Sequence, residues 1–200
     1  HEGRFVVVTL ERTDVARGDP SNESRILLAV SKTGTPGNAT AADWNFHAID
    51  SKISIGGVDR WADYPGFEVD EEAVYVTANM FRFGASPTFG GVRLWIVDKG
   101  IVGGFYDGGP AAVTVHNPYA AAGNATTTMP CEVFGASGVG PGIGTFLVSY
   151  SGITDGTDED VQVVRVNDPL GAVSFTPELV TVGDIEGPAF PDLPDAPQSG

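Results

Sequence analysis

The stretch Trp61–Phe81, WADYPGFEVDEEAVYVTANMF, holds two short apolar runs with an acidic turn between them. The first run, Tyr64–Val69, alternates apolar residues with small or polar ones, and Asp70-Glu71-Glu72 then interrupts it. This pattern is typical of a short strand followed by a turn in solvent. The second run, Ala73–Asn79, is rich in β-branched and aromatic residues, which indicates a strand buried on both faces. The stretch therefore predicts a β-hairpin.

Related strand patterns recur on both sides of this hairpin, at a spacing of roughly 70 residues. The pattern of Ala73–Ala78 has counterparts at Arg4–Leu10 and Thr145–Tyr150. Second strands are predicted at Arg25–Lys32, Val92–Lys99 and Val161–Asp168, closing strands at Trp44–Ile49, Val102–Tyr106 and Phe175–Val182, and leading strands at Tyr64–Val69 and Pro130–Ala136. Four antiparallel strands that recur in this way indicate the blades of a β-propeller.

The fold prediction is an all-β protein, a β-propeller of about three four-stranded antiparallel blades that form part of a larger ring, because closed propellers typically have four to eight blades. Blade 1 spans 1–60 and lacks its leading inner strand, blade 2 spans 61–128, and blade 3 spans 129–186. A proline-rich connector, 187–200, follows. We expect other polypeptide to complete the ring, and the sequence leaves open whether this is a separate chain.

The strand patterns also predict which side chains are buried and which loops are exposed. The buried set contains Val6, Val8, Leu27, Val74, Val76, Trp95, Ile96, Leu147 and Val163. The loop 17–24 and the insertion 34–42 are rich in turn-forming residues and have no apolar anchor, so both are expected to be exposed. The glycines at 135, 138, 140, 142 and 144 are interpreted as a flexible crossing to the next strand.

The composition and the short motifs indicate which partners and which location the protein has. The net charge is −15, from 11 basic and 26 acidic residues, which argues against nucleic acid as a partner. No apolar run of about 18 residues occurs, so no membrane span is predicted. The sequons at Asn22, Asn38 and Asn124 are candidate glycosylation sites, and together with the histidine at position 1 they favour a secreted or extracellular protein. The single cysteine, Cys131, allows no internal disulfide.

Four residues form the candidate ligand site: Trp61, Asp63, Tyr64 and Arg82. An aromatic ring beside a carboxylate suits sugar recognition, because the ring stacks on apolar sugar faces and the acid accepts hydroxyl hydrogen bonds. The alternative is structural, with Trp61 packed between blades and Asp63 capping a turn.

Several acidic residues lie in the turn between two strands of the third repeat, Thr145–Tyr150 and Val161–Asp168. Asp155, Asp158 and Asp160 offer the hard oxygen ligands that Ca²⁺ prefers, and calcium is the one cofactor that the sequence predicts. The alternative is a solvated acidic turn. No histidine pair has a spacing typical of a metal site.

The segments DWNFHAID, RLWIVDKG, GTFLVSYSG and VQVVRVNDPLG, together with the opening stretch, resemble secreted bacterial β-propeller proteins of largely unknown function, which are distantly sialidase-like in architecture. The segment Ser31–Trp44 is similar to a degenerate Asp-box, a structural turn of sialidase-like blades. A sialidase-type site would draw on the arginines at 4, 60, 82 and 93 with Tyr64 and Glu68, but no spacing identifies such a site.

Two functions follow from these patterns. The first is a segment or subunit of a secreted propeller that binds a ligand or a partner chain, with carbohydrate as one class of ligand. The alternative is part of an extracellular carbohydrate-active hydrolase or lyase whose active site other blades complete. Whether the protein is an enzyme stays open, because propellers support both functions.

Overall fold

The computed structural model describes residues 2–119, 127–132, 142–154 and 157–184, with the backbone alone for 151–154. The strands are β1 Val6–Thr13, β2 Glu23–Ser31, β3 Trp44–Asp50, β4 Ile53–Ile55, β5 Val58–Val69, β6 Ala73–Arg82, β7 Phe89–Asp98, β8 Val113–His116, β9 Met129–Pro130, β10 Ile143–Thr154, β11 Glu159–Asn167 and β12 Ser174–Gly183. A single 3-10 turn, Phe105–Asp107, lies between β7 and β8. The predicted all-β class is confirmed. Within the described ranges, no helix is long and apolar enough to cross a membrane.

The strands form three antiparallel sheets in chain order. Sheet 1 contains β1 to β3, sheet 2 contains β4 to β8, and sheet 3 contains β9 to β12, with sequential strands as neighbours in each. One sheet curls strongly into half a barrel. In the described part of the chain the sheets have three, five and four strands, whereas the sequence predicted three strands for the first repeat, which lacks its leading strand, and four for each of the others, so the strand count differs in sheet 2 alone. The additional strand is β4, which pairs with the first residues of β5.

Sheet 2 lies between the other two sheets. One of its faces packs on sheet 1 in an apolar cluster that includes Val76 and Ile26, and its other face packs on sheet 3 in a cluster that includes Tyr75 and Leu147. Every residue of β6 from Ala73 to Met80 is buried. The predicted strand with two buried faces is therefore confirmed, because β6 is the central strand of the middle layer.

The predicted buried residues divide according to the face of the sheet. Val74, Val76, Trp95, Ile96 and Leu147 are buried as expected. Val6 and Val8 are half-buried against the first cluster. Leu27 and Val163 are only half-buried, because strand alternation turns them away from the sheet 2 interface. For those two residues the prediction of a core position was wrong.

Two predicted strands require correction. Residues 102–106 form no strand; the chain turns there and then forms the 3-10 turn, and the closing strand is β8. Glycine is the reason: Gly100 and Gly103 have positive φ, and a Cβ on Gly104 would lie 2.6 Å from Cα of Gly100. The predicted leading strand Pro130–Ala136 is represented by β9, and its residues 133–136 lie outside the described residues.

The two predicted loops differ in exposure. The insertion 34–42 is exposed apart from half-buried Pro36, and Asp43 organises it by accepting hydrogen bonds from Gly37 N and Asn38 N. In the loop 17–24, however, Asn22 is only 2% exposed. Its Oδ1 accepts a bond from Val15 N and its Nδ2 donates to the Ala16 carbonyl, so the expectation of an exposed side chain was wrong there. Asn124 lies outside the described residues.

Candidate functional site

A cleft of about 300 Å³ lies where the three sheets meet at the end of β5. We call it the leading-strand cleft. It is lined by Arg4 and Val6 from the start of sheet 1, Phe67, Glu68 and Val69 from β5, and Pro130 and Glu132 from β9 and the residues after it.

The end of β5 is accessible because one edge of this strand has no strand neighbour there. β4 pairs with β5 only as far as Arg60, and within the described residues no strand continues along that edge. β9 approaches β5 closely at Gly66, where a Cβ would lie 2.6 Å from Met129 Sδ and 3.0 Å from Pro130. Glycine at this position therefore lets sheet 3 contribute to the cleft.

Two consecutive residues of β5 give the cleft both an apolar ring and a carboxylate. Phe67 is 44% exposed and Glu68 is 4% exposed, because adjacent residues of a strand point to opposite faces. The cleft lies at the strand edge, so both residues line it. Glu132 adds an exposed carboxylate from the other wall.

Arg4 is held in place by the 3-10 turn between β7 and β8. Its Nη1 donates to the Tyr106 carbonyl at 2.6 Å, and its Cζ lies 5.7 Å from the centre of the Tyr106 ring. Asn45 Nδ2 donates to the same carbonyl at 3.0 Å. The phenol is buried, and this burial is the main cause of the raised pKa of Tyr106, so the ring stays neutral. Arg4 is thus pre-positioned as a charged hydrogen-bond donor.

The turn after β5 is fixed by hydrogen bonds to Asp70. Its Oδ1 accepts bonds from Glu72 N and Ala73 N at 2.7 and 2.8 Å, and its Oδ2 accepts one from Tyr75 Oη at 2.6 Å. Lys99 Nζ donates to the Asp70 carbonyl at 2.7 Å. These bonds hold the end of β5, and with it Phe67, in one position.

The thiol and the imidazole nearest the cleft in sequence do not form a nucleophilic pair. Burial, and then the charge of Glu68, raise the pKa of the Cys131 thiol, so the thiol is protonated at neutral pH. His116 lies on β8 beside Thr114 Oγ1 and the Phe175 ring. The chemistry of the cleft therefore comes from Arg4, Glu68, Glu132 and the Phe67 ring.

The predicted ligand residues on β5 are occupied by contacts within the protein. The Trp61 ring lies under the Arg12 guanidinium, with Cζ 3.9 Å from its centre, and contacts Phe81 at 5.7 Å. Asp63 Oδ1 accepts a bond from Tyr64 N. Tyr64 is 62% exposed, and its positive φ of 56° accompanies a β-bulge in β5. As ligand contacts these residues stay predictions.

Arg82 lies in a different place. It lines a second cleft of about 210 Å³, which we call the arginine cleft, formed by Arg17, Gly18, Gly57, Val58, Asp59, Arg82 and Phe83. Trp61 Nε1 donates to the Arg82 carbonyl at 3.3 Å, so these two predicted residues do meet. Asp59 and Glu68 are nine positions apart on β5, roughly 30 Å along a strand, so the two clefts are distinct.

The predicted calcium ligands are described only in part. Asp160 Oδ1 accepts a bond from Thr181 Oγ1 at 2.7 Å, and Asp155 lies outside the described residues. Across the described part of the chain, no group of three or more metal-ligating side chains is found. The calcium site at Asp155, Asp158 and Asp160 stays a prediction.

The leading-strand cleft itself was not predicted. Two acidic residues within predicted strands were the available signals. They are Glu68 in Tyr64–Val69 and Glu132 in Pro130–Ala136. Comparison of the chain with protein families, characterised proteins and solved structures finds no match to any of them. The argument for function therefore starts from this cleft.

Proposed function

We propose that this chain is part of a secreted β-propeller that binds a ligand, with extracellular carbohydrate as the ligand class, in the leading-strand cleft. The observation that carries the proposal is the exposed ring of Phe67 in one cleft with two carboxylates and a fixed guanidinium. An aromatic face packs on the apolar face of a sugar ring, and carboxylates and guanidinium groups bond to its hydroxyls.

The propeller architecture is part of the same proposal. Its support is the serial arrangement of three antiparallel sheets in chain order, with the middle sheet buried on both faces. Repeats of this kind bury their faces only against neighbours. The outer face of sheet 1 exposes Val7 and Phe46, and Phe5, directly before β1, is exposed as well, so we propose that other polypeptide packs there and extends the stack.

The binding function is tested by calorimetric titration with a panel of neutral and acidic oligosaccharides. Phe67→Ala should weaken the binding of the best ligand on the order of tenfold, because it removes the stacking surface. Phe89→Ala is the matched control, since it also removes an exposed phenylalanine from a strand, at 38% exposure, and Phe89 lies on β7 outside the cleft lining. Equal affinity in wild type and Phe67→Ala, or no oligosaccharide binding at all, would contradict the proposal.

A second candidate, a carbohydrate-active hydrolase, rests on one feature: Glu68 and Glu132 line the same cleft. Glycoside hydrolysis commonly uses two carboxyl groups, one of which acts as general acid. The test is release of reducing sugar from the oligosaccharides that bind. Turnover that is lost in Glu132→Gln, with binding retained, supports the hydrolase; binding without turnover supports a binding module.

A further inference from the structure

Four of the arginines gather at the opposite end of β5 from the leading-strand cleft. Arg60 and Arg82 are direct partners in the register of β5 and β6, so their side chains share one face. Arg17 and Arg82 line the arginine cleft together. Arg93 lies near Arg60, and the charge of Arg60 adds to burial in lowering the pKa of Arg93.

The loop that carries Arg17 is docked against the end of β6. Asp14 accepts hydrogen bonds from Gly84 N at 3.0 and 3.2 Å. Gly84 has a φ of 100°, and a Cβ there would lie 3.2 Å from Cβ of Arg17. This packing fixes the backbone of Arg17 beside the end of β6, where Arg17 and Arg82 both line the arginine cleft.

No carboxylate of residues 2–119, 127–132, 142–150 or 157–184 forms an ion pair with these arginines. Within the described residues, the ion pairs are those of Arg25 with Glu11 and Glu23, and that of Lys99 with Glu2. Asp59 also lines the arginine cleft, but its carboxylate lies more than 4 Å from the guanidinium groups of Arg17 and Arg82. In a protein with 26 acidic and 11 basic residues, arginines that lack ion pairs are unexpected.

The hydrogen bonds of these arginines use only part of their donors. Arg60 Nη1 donates to the Thr88 carbonyl at 2.7 Å, and Arg82 Nη2 donates to the Ser86 carbonyl at 2.5 Å. Nε of Arg60 and Nε of Arg82 are buried and have no partner within the described part of the chain. A guanidinium has five donors, and buried donors without partners are costly, as are like charges placed side by side.

We propose that the arginine cleft, together with the neighbouring guanidinium of Arg60, binds an oxyanionic group: a carboxylate, sulfate or phosphate carried by a larger ligand. Such a group accepts charge-assisted hydrogen bonds from several guanidinium donors at once. The cleft volume, about 210 Å³, is ample for one such group, and two of its lining residues, Gly18 and Gly57, add no side chain to it. This site goes beyond the proposed carbohydrate cleft and does not depend on it.

The experiment measures binding of inorganic sulfate, inorganic phosphate and glucuronate to the whole chain, at an ionic strength held constant with sodium chloride. We expect saturable binding of at least one anion, and the preferred anion identifies the chemical source. Arg17→Gln should weaken it roughly tenfold or more, because a charge-assisted bond is lost. Arg17 is exposed, so this variant should keep the thermal midpoint of the wild type.

Arg25→Gln is the matched control, since it removes the same charge at a site that already has carboxylate partners. It should bind the anion as the wild type does, and so should Phe67→Ala, whose change lies in the other cleft. The proposal is overturned if none of the three anions binds saturably, or if Arg17→Gln binds as tightly as the wild type. Partial recovery in Arg17→Lys would support it, because lysine restores charge without the planar fork.

Discussion

Lys99 Nζ lies 2.7 Å from Glu2 Oε1, which joins two residues 97 positions apart in the chain. The Lys99 side chain is 1% exposed and that of Glu2 is 29% exposed. Nζ also donates to the carbonyls of Asp70 and Glu71, so the ammonium has its full set of bonds. The pair fastens the segment before β1 to the turn that follows β5, next to the β5 residues that line the leading-strand cleft.

Glu2→Gln should destabilise the chain by about 1–3 kcal/mol. Removing one partner of a buried ion pair leaves the other charge without compensation, and the partial exposure of Glu2 reduces the cost below that of a fully buried pair. Denaturant unfolding followed by fluorescence measures it. Glu11→Gln, which breaks the exposed pair with Arg25, is the control and should change little. Equal effects of the two substitutions would contradict the assignment of Lys99 as a buried cation.

Leu27 and Leu28 are adjacent residues with opposite environments. Leu28 is 2% exposed in the interface with sheet 2, and Leu27 lies half-buried on the outer face. Leu28→Ala should therefore cost about 2–5 kcal/mol in the free energy of unfolding, and Leu27→Ala should cost well under half of that. Chemical denaturation of both variants measures the difference. A larger effect at Leu27 would mean that the faces of sheet 1 are assigned the wrong way round.

Gly144 is predicted to be intolerant of a side chain. A Cβ there would lie 2.3 Å from Tyr75 Oη and 2.8 Å from Pro169, and Tyr75 is held by its bond to Asp70. Gly144→Ala should destabilise the chain by about 1–3 kcal/mol, because a packed core responds to added volume with strain. Gly37→Ala is the control, since its Cβ would meet only Asp43 at 3.5 Å. Thermal unfolding of both variants gives the comparison.

The sequence predicted which strand lies at the centre of the fold better than it predicted which residues of the outer strands face the core. The β-branched run of β6 was sufficient to place it in the centre, because only a strand covered on both sides is apolar at every position. Neighbours such as Ile26 and Leu27 are equally apolar, and which of them faces sheet 2 depends on register. Gly144 was read as part of a flexible crossing, although it is glycine because Tyr75 packs against it. That contact lies between sheets and leaves no local pattern.

The candidate site was less predictable than the fold, for the same reason. Trp61 and Asp63 have the residue types of a sugar site, but Arg12 and Tyr64 N occupy them. The cleft forms where three distant segments converge, and its partners Arg4 and Glu132 carry no sequence motif of their own. Asn22 is a residue whose pattern indicates exposure, because it begins a sequon in a turn-rich loop. Its side chain is nevertheless buried, and it hydrogen-bonds to the backbone of Val15 and Ala16.

His116 is predicted to make stability depend on pH. Burial lowers the pKa of its imidazole below the ordinary value of 6.5, so the unfolded chain binds this proton more tightly than the folded chain does. The stability that the neutral His116 side chain contributes is intact above about pH 6.5, the pKa of the unfolded chain. It is lost as the pH falls from there through the lower pKa of the folded chain. Unfolding free energies between about pH 7.5 and 5.5 should decline less in His116→Gln than in the wild type. Parallel declines would contradict this assignment.

The outer face of sheet 1 is expected to be an assembly surface. Val7, Ala29 and Phe46 form one row across β1, β2 and β3, and Val7 and Phe46 are 48% and 58% exposed. The free edge of β1 adds unpaired backbone groups, since β1 pairs with β2 alone among the described strands. A sheet face and a strand edge of this kind favour association with other polypeptide, or self-association when no partner is present.

Residues 1–200 expressed alone should therefore self-associate, and light scattering after size exclusion should give masses above the 20.8 kDa of one chain. The double substitution Val7→Lys with Phe46→Lys should shift the population towards the monomer, because two charges then interrupt the apolar row. Val102→Lys is the control: it adds a lysine at a 92% exposed valine in a turn, outside any sheet face, and should leave the mass distribution unchanged. A wild-type chain that runs as a stable 20.8 kDa monomer with cooperative unfolding would refute the assembly surface, since an apolar sheet face would then be tolerated in solvent.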